Sequence, residues 1–263
     1  MMQGGARRQR ALALFLLLTA CEVDQSEEVR IGRENAQAVN ARLPLVRDPV
    51  IAEYVQHLGA DIASHTARAD LDWRFSVVNS REVNAFALPG GFVYVNRGLI
   101  ERADRLDELA GVLGHEIGHV VRRHGVQQMQ NGARANTVVG LGCSLTGWCD
   151  NSVTQAAIQV GGAALFARYS RDDEAEADSE AVVNVVRTGF DPEGIPALFQ
   201  RLIAERRTSP LAIEAFFASH PMEEERVRAT TQQIGAIDPT LRRGLVRDDP
   251  GYRAMRERLM TMP

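Results

Sequence analysis

The 263-residue sequence lacks the features of nucleic-acid binders, repeat proteins and disordered chains. Its formal net charge is −4, and beyond the first ten residues no segment is dense in Lys and Arg, so the basic face typical of nucleic-acid binding is missing. No segment repeats with a period of about 20–50 residues, and none is low in complexity. Because 45% of the residues are hydrophobic, global disorder is excluded and one sizeable core is expected.

Long apolar runs are also missing, and the run at residues 11–20 is too short to cross a bilayer core of about 30 Å. It follows three arginines, as in a secretory signal peptide. Its end, Leu18-Thr19-Ala20-Cys21, resembles the lipobox of bacterial lipoproteins, in which the Cys is acylated. We therefore expect residues 1–21 to be a lipoprotein signal peptide, and Cys21 to anchor an exported, periplasmic protein. Glu22 favours the outer membrane. Plain cleavage with an incidental Cys21 is the alternative.

Cysteine is scarce, with three residues in the chain. Cys21 is assigned to the signal, which leaves Cys143 and Cys149 in a Gly-rich segment. This pair could close a disulfide in an oxidising compartment, or remain as two free thiols.

Hydrophobic periodicity predicts helices, then short strands, then helices. This order indicates a mostly α, α+β fold with a small β-sheet near the longest amphipathic helix. We expect a tether at 22–30, one domain at 31–235 and a charged tail at 236–263. The predicted helices are 26–39, 48–63, 106–130, 153–187 with a capped start at Ser170 and a C-cap at Gly189, 193–206, 213–218 and 221–234. The predicted strands are 71–79, 83–88 and 92–96.

One part of the predicted helix 106–130 carries metal-binding chemistry. His115, Glu116 and His119 form the pattern H-E-x-x-H. Residues four apart lie one turn apart on one helix face, so both imidazoles can reach one zinc ion, and Glu116 can take a proton from water. The alternative is a helix with exposed His and Glu side chains. The apolar flanks argue against it, because they place this part of the helix in the core, where unsatisfied polar groups are costly.

A catalytic zinc needs a third protein ligand and an open fourth position. The metzincin arrangement is excluded, because Arg122 and Gly125 stand where that class has Gly and His. Acidic residues downstream are therefore the candidates. Glu174 and Asp178 are four apart, so Glu174 could bind the metal while Asp178 accepts a hydrogen bond from the outer nitrogen of a ligating His. The alternative is an acidic helix start stabilised by the helix dipole.

Four motifs follow one another along the chain: 84–91 (NAFALPGG), 115–121 (HEIGHVV), 169–171 (YSR) with 174–178 (EAEAD), and 219–221 (SHP) with Arg226. They resemble those of the HtpX-like and CAAX-prenyl-protease-like zinc metallopeptidases, which are gluzincins, and within them the periplasmic BepA/LoiP-like lipoproteins. The resemblance covers roughly residues 30–235. It implies a single gluzincin-type domain with one zinc ion per chain, held by His115, His119 and Glu174, with Asp178 orienting a ligand.

The resemblance also implies roles outside the ligand set. His220 would lie near the metal, where it could stabilise the developing oxyanion or close the open position as a latency switch, and Arg226 would hold its loop. Asn84, Ala85 and Phe86 would form the edge strand with which an extended substrate pairs. Taken alone, His220 is a turn residue before a proline, and the strand is half of an ordinary hairpin.

Together, these expectations describe a zinc endopeptidase of the bacterial cell envelope. It is expected to act on polypeptides and not on nucleic acid. Misfolded or misassembled envelope proteins are the expected substrates. Glu116 is the expected base, and His220 and Asp178 assist. The alternative is a latent or inactive zinc-bound envelope chaperone or binding protein whose site is closed by His220. A metal-free lipoprotein spacer would require all four motifs to be accidental.

Overall fold

The computed structural model describes residues 23–132, 168–221 and 224–263. Cys21, Cys143 and Cys149 lie outside the described residues. The mostly α, α+β fold expected from the sequence is confirmed. The elements are α1 (Gln25–Arg42), α2 (Pro49–Ser64), β1 (Arg74–Val78), β2 (Ala85–Leu88), β3 (Phe92–Asn96), α3 (Arg97–Ile100), α4 (Leu106–Val121), α5 (Arg171–Thr188), α6 (Gly194–Thr208), α7 (Pro210–Ser219), α8 (Glu224–Gly235) and α9 (Pro250–Met260).

Side chains at the helix ends explain where α2 and α5 begin and where α5 stops. The Asp48 carboxylate accepts hydrogen bonds from the first backbone N–H groups of α2, and Pro49 supplies the first helical position. Ser170 and Asp173 form a reciprocal capping box at the start of α5. Gly189 ends α5 in the left-handed region at φ 97°. The predicted starts at Asp48 and Ser170 and the predicted C-cap at Gly189 are therefore confirmed.

The sheet has the strand order β1-β3-β2, with β1 parallel and β2 antiparallel to β3. Gly90 and Gly91 have φ values of 78° and 97°, which a tight hairpin turn requires. Successive side chains alternate between faces. Ala85 and Ala87 belong to the main core with α4, whereas Phe86 and Leu88 belong to a smaller cluster with α1. The small sheet thus packs near α4, as predicted.

Helix α4 is the centre of the fold, since every residue from Leu106 to Val120 is buried. It lies between the sheet, α2, α5 and α6. Two glycines let α5 approach closely: a Cβ at Gly118 would lie 2.8 Å from the backbone oxygen of Ala177, and one at Gly114 would lie 3.1 Å from Val185. This close packing brings the start of α5 beside the middle of α4.

The predicted helix 106–130 is interrupted. Helix α4 ends at Val121, Arg123 adopts a left-handed conformation with φ 61°, and residues 124–132 are helical again. The apolar periodicity continues through this break, so the sequence pattern does not indicate where α4 ends. Of the predicted helix 153–187, residues 153–167 lie outside the described residues.

The two ends of the described chain take part in the fold. Residues 22–30 were expected to be a tether, and α1 begins within them, with Glu28 completely buried. Residues 236–263 were expected to be a tail, and they contain α9, whose Tyr252, Met255 and Leu259 lie in the main core. In the described ranges, none of the helices has the length and apolar character needed to cross a membrane.

Candidate active site

Helix α4 places His115, Glu116 and His119 in the interior, where each is at most 1% exposed. The Nε2 atoms of His115 and His119 lie 3.1 Å apart, as expected for residues one turn apart on one face. Both oxygens of Glu116 are buried and have no hydrogen-bond partner among the described residues. A buried carboxylate of this kind is costly unless a ligand or substrate approaches it.

Helix α5 contributes two carboxylates to the same cluster. Glu174 is completely buried, with one oxygen 3.4 Å from His115 Nε2 and the other 3.5 Å from His119 Nε2. Asp178, one turn further on, lies 2.9 Å from the opposite nitrogen of His115, Nδ1. The structure therefore brings Glu174 and Asp178 to the two imidazoles, on opposite sides of the His115 ring.

His220 enters the cluster from the end of α7. Its backbone N–H is bonded to Phe216 as the helix C-cap, and its ring is 1% exposed. Its Nδ1 lies 3.3 Å from His115 Nε2 and 3.0 Å from a Glu174 oxygen, and its Nε2 lies 3.5 Å from Glu116. One nitrogen of the His220 ring thus lies near His115 and Glu174, and the other lies near Glu116, the residue expected to act as the base.

Arg226 of α8 pairs with the carboxylates of Asp178 and Glu174. Its Nε and Nη2 donate to the two oxygens of Asp178 at 2.9 and 2.7 Å. Its Nη1 contacts Glu174 and donates to the backbone oxygen of Pro221 at 3.0 Å. Because Pro221 follows His220, one guanidinium connects both carboxylates of α5 to the segment that carries His220.

The arrangement fits a metal ion. Nitrogen or oxygen atoms of His115, His119, Glu174 and His220 all lie within 4.8 Å of one another. Four ligand atoms about 2.1 Å from one ion at tetrahedral angles lie roughly 3.4 Å apart. The distances from His115 Nε2 to the other three groups, 3.1, 3.4 and 3.3 Å, are close to that value. Asp178 lies 2.9 Å from His115 Nδ1, so a His115 ring protonated only at that nitrogen would present the lone pair of Nε2 to the cluster.

The electrostatics of the cluster depend on burial and on close partners. Burial disfavours the protonated form of His115 and would lower its pKa. Hydrogen bonds to Asp178 and Glu174 outweigh this effect and raise the pKa to about 10. Burial lowers the pKa of His119 well below its usual range. Burial favours protonated Glu174, yet the charge of His220 and hydrogen bonds from the imidazoles hold its pKa well below its usual range. Burial raises the pKa of Glu116.

The strand segment Asn84, Ala85 and Phe86 lies at the start of β2, on one edge of the sheet. The far end of β2 approaches the histidines, since Leu88 and Pro89 line a small pocket together with His119. The hairpin therefore runs along the side of α4 that bears the cluster.

Two neighbours of His119 were not identified from the sequence. His124 Nδ1 lies 2.9 Å from His119 Nδ1, and the Tyr169 ring stacks on His119 with centroids 3.8 Å apart. Tyr169 occurs in one of the four motifs, but it carries no role there. His124 gives no signal in the periodicity, since a continuous helix would point it away from His119.

The sequence is similar to those of known peptidases. The model of peptidase family M48 matches residues 49–234. The beta-barrel assembly-enhancing protease of Escherichia coli K12 is 28% identical over 219 residues, which cover 81% of this chain and 45% of that protein. The mitochondrial metalloendopeptidase OMA1 of Schizosaccharomyces pombe is 29% identical over 66% of this chain and 50% of its own length. Metalloprotease YcaL of E. coli K12 is 29% identical over 62% of each chain. The chain thus spans about half the length of the first two relatives.

Proposed function

The chain belongs to peptidase family M48, and from this membership and its buried His–His–Glu cluster we propose that it is a zinc-dependent endopeptidase. The observation that carries the proposal is the convergence of four nitrogen and oxygen donors within 4.8 Å, beside the carboxylate of Glu116. Histidines and acids that bind no ligand are expected at the surface, because uncompensated polar groups are costly in a protein interior. Their convergence in the interior therefore favours a bound metal ion.

We assign His115, His119 and Glu174 as the ligands of one zinc ion per chain. Two imidazoles and one carboxylate are a donor set of catalytic zinc sites, which keep a fourth position for water or substrate. Asp178 lies 2.9 Å from His115 Nδ1, where it would hold the ring proton and so keep Nε2 free to bind. A zinc ion held here would activate a water molecule and polarise the scissile carbonyl.

Glu116 is the general base of the proposed mechanism. It takes a proton from the attacking water as the water oxygen adds to the carbonyl carbon, and it delivers that proton to the amide nitrogen as the C–N bond breaks. Its burial and its raised pKa support this role, because a base with a pKa nearer neutrality can also return the proton as an acid.

We propose that the substrates are polypeptides bound in extended form along β2. Asn84, Ala85 and Phe86 would pair with the substrate backbone by β-strand addition. The edge position of β2 supports this placement, as does the small pocket that Leu88, at its far end, lines together with His119.

A second candidate function is favoured by the position of His220. Its Nδ1 lies as close to His115 and Glu174 as a fourth ligand would, and four protein ligands are typical of structural rather than catalytic zinc. The chain would then be a latent or inactive zinc-bound envelope chaperone or binding protein. If His220 closes the site, His220→Ala should raise peptidase activity. If His220 stabilises the oxyanion, the same change should lower kcat with little effect on KM.

We further propose that the protein acts in the bacterial envelope. The N-terminal pattern ending at Cys21 supports export to the periplasm and lipid anchoring, with Glu22 favouring the outer membrane. The name of the E. coli relative refers to β-barrel assembly. On this basis we propose misfolded or misassembled envelope proteins as substrates.

The test is metal content and casein cleavage of the purified full chain. Wild-type protein should contain one zinc per chain and cleave casein, and a chelator should abolish cleavage. Glu116→Gln should retain the metal and lose activity by at least 10²-fold, since it keeps the side-chain shape but removes the base. Glu34→Gln makes the same substitution at an exposed position; it is the matched control and should remain active. Chelator-insensitive cleavage, or full activity of Glu116→Gln, would contradict the mechanism.

A further inference from the structure

The ring of His119 has both of its nitrogens engaged. Nε2 faces the proposed metal ligands, 3.1 Å from His115 Nε2, and Nδ1 lies 2.9 Å from His124 Nδ1. His119 is 1% exposed and His124 2% exposed. At such burial a 2.9 Å separation between two ring nitrogens needs a proton between them, because two facing lone pairs would repel each other.

The proton in this contact can be assigned by counting. A His119 ring that binds a metal through Nε2 must present a lone pair there, so its single proton lies on Nδ1. His124 Nδ1 must then be the acceptor, and the proton of the neutral His124 ring lies on its Nε2. That nitrogen faces carboxylate oxygens of Asp173 and Glu176, each at 3.6 Å. The protonated nitrogens, His119 Nδ1 and His124 Nε2, therefore each face an acceptor, and the unprotonated His124 Nδ1 faces a donor.

We propose that His124 is a positioning residue of the metal site, whose Nδ1 accepts the Nδ1 proton of His119 and holds His119 Nε2 toward the metal. The inference rests on the proposed function, since it requires His119 to be a ligand. His124 stands to His119 as Asp178 stands to His115: each lies 2.9 Å from the outer nitrogen of one imidazole. The two α4 histidines are thus oriented by different residues, one on α5 and one just beyond α4.

The break after α4 is what brings His124 to His119. In a continuous helix, five residues of about 100° each would place His124 roughly 140° around the axis from His119. The left-handed Arg123, with φ 61°, turns the chain back instead. A left-handed arginine costs about 1–2 kcal/mol, so the surrounding contacts have to stabilise it.

Those contacts come from α1 and from the segment after α2. The buried carboxylate of Glu28 accepts from Arg123 Nε at 2.9 Å and from Arg68 at 2.7 and 3.1 Å. Arg68 also donates to the backbone oxygen of Val120 at 2.9 Å, just before the break. A buried carboxylate shared by two arginines thus holds the turn that presents His124.

Tyr169 restrains the same imidazole in another direction. Its ring is nearly parallel to that of His119, with an interplanar angle of 19° and centroids 3.8 Å apart. Stacking limits tilting of the His119 ring, and the hydrogen bond to His124 limits its rotation within the ring plane. Together they leave His119 Nε2 one direction in which to point.

The test measures zinc affinity of the full chain by competition with a chromophoric chelator. Loss of an outer hydrogen bond to a ligating His typically weakens metal binding by about 10–100-fold. His124→Phe keeps a ring but removes the acceptor, and it should show this loss. His124→Asn places an amide oxygen near the position of Nδ1 and should stay within about 3-fold of wild type. His57→Phe, at an exposed position on α2, is the control and should not change the affinity.

A second measurement covers the case in which His124→Phe fails to fold. In zinc-loaded wild type, ¹⁵N spectra of the histidines should show a protonated Nδ1 on His119 and a coupling between the two Nδ1 atoms. Wild type that binds zinc while His124→Phe binds it equally well would overturn the role of His124 and leave the proposed function intact. An unprotonated His119 Nδ1 would do the same. Wild type that binds no zinc would overturn both.

Discussion

Replacing Arg226 by methionine tests whether the buried carboxylates of α5 depend on one cation. Arg226 is mostly buried and donates two hydrogen bonds to Asp178 and one to Pro221. Methionine is also unbranched and can fill the space over the Phe199 ring, where the guanidinium carbon lies 5.2 Å from the ring centroid. The variant therefore removes the charge and the donors with little change in packing.

The expected loss follows from these contacts. Three hydrogen bonds from a charged donor, at about 1.5 kcal/mol each, sum to roughly 4–5 kcal/mol. This agrees with the ~3–5 kcal/mol lost when one partner of a buried ion pair is removed. For a domain of this size the melting temperature should fall by about 6–20 °C. The loss should be smaller with zinc bound, because the metal then partly neutralises Glu174.

The assay is urea and thermal unfolding followed by circular dichroism, with chelator and with zinc. Arg207→Met is the control: Arg207 pairs with Glu224 at 2.9 Å, but both side chains are more than 60% exposed, so the loss should stay below about 1 kcal/mol. Equal losses for the two variants would refute the reasoning.

The same variant makes a pH prediction. Burial alone would raise the pKa of Asp178, but His115 and Arg226 hold it below its usual value. A carboxyl whose pKa is lower in the folded state stabilises the fold above its unfolded pKa of about 4 and loses that contribution as pH falls. The stability difference between wild type and Arg226→Met should therefore shrink in acid. A difference that grows on acidification would contradict the assignment.

Three further predictions concern the metal, the helix contact and the C-terminal helix. Because the pKa of His115 is raised to about 10, metal must displace a proton at neutral pH, and apparent zinc affinity should rise up to tenfold per unit between about pH 7 and 9. Gly118→Ala should destabilise the fold by about 1–3 kcal/mol and weaken zinc binding, since the added Cβ would lie 2.8 Å from the Ala177 oxygen. Leu259→Ala should cost about 2–5 kcal/mol, because Leu259 is completely buried.

Chelator competition across pH checks the first of these, and a flat profile would contradict it. Urea unfolding checks the other two. Gly235→Ala, where a Cβ would meet nothing within 4 Å, is the control for Gly118. Leu241→Ala, at an exposed leucine, is the control for Leu259. A Leu259 variant as stable as its control would mean that α9 contributes nothing to the domain.

The local part of the site was predictable because its geometry is set within one turn of helix. The spacing of His115 and His119 predicts that both rings share one helix face, and the apolar flanks predict that this face is buried. The capped start at Ser170 follows from the residue types of the first turn. Spacing left Glu174 open between a ligand role and an acidic helix start, and resemblance to a family favoured the ligand role.

Other features were missed for definite reasons. The charged composition of residues 236–263 predicts a tail where α9 lies, yet Tyr252, Met255 and Leu259 follow the spacing of one helix face and indicate a helix. The break at Arg123 could not be predicted, because the left-handed arginine is stabilised by Glu28, which is distant in the sequence.

By itself, the sequence determined the helix that carries two imidazoles and a carboxylate, because helical periodicity is a property of the local backbone. Only the tertiary structure decided that Glu174 on α5 reaches within 3.5 Å of both imidazoles, and that His220, 105 residues from His115, completes the cluster. Those distances depend on how closely α4 and α5 pack, which the missing side chains of Gly114 and Gly118 permit. Close packing between distant segments is a property of the folded chain, and no local pattern encodes it.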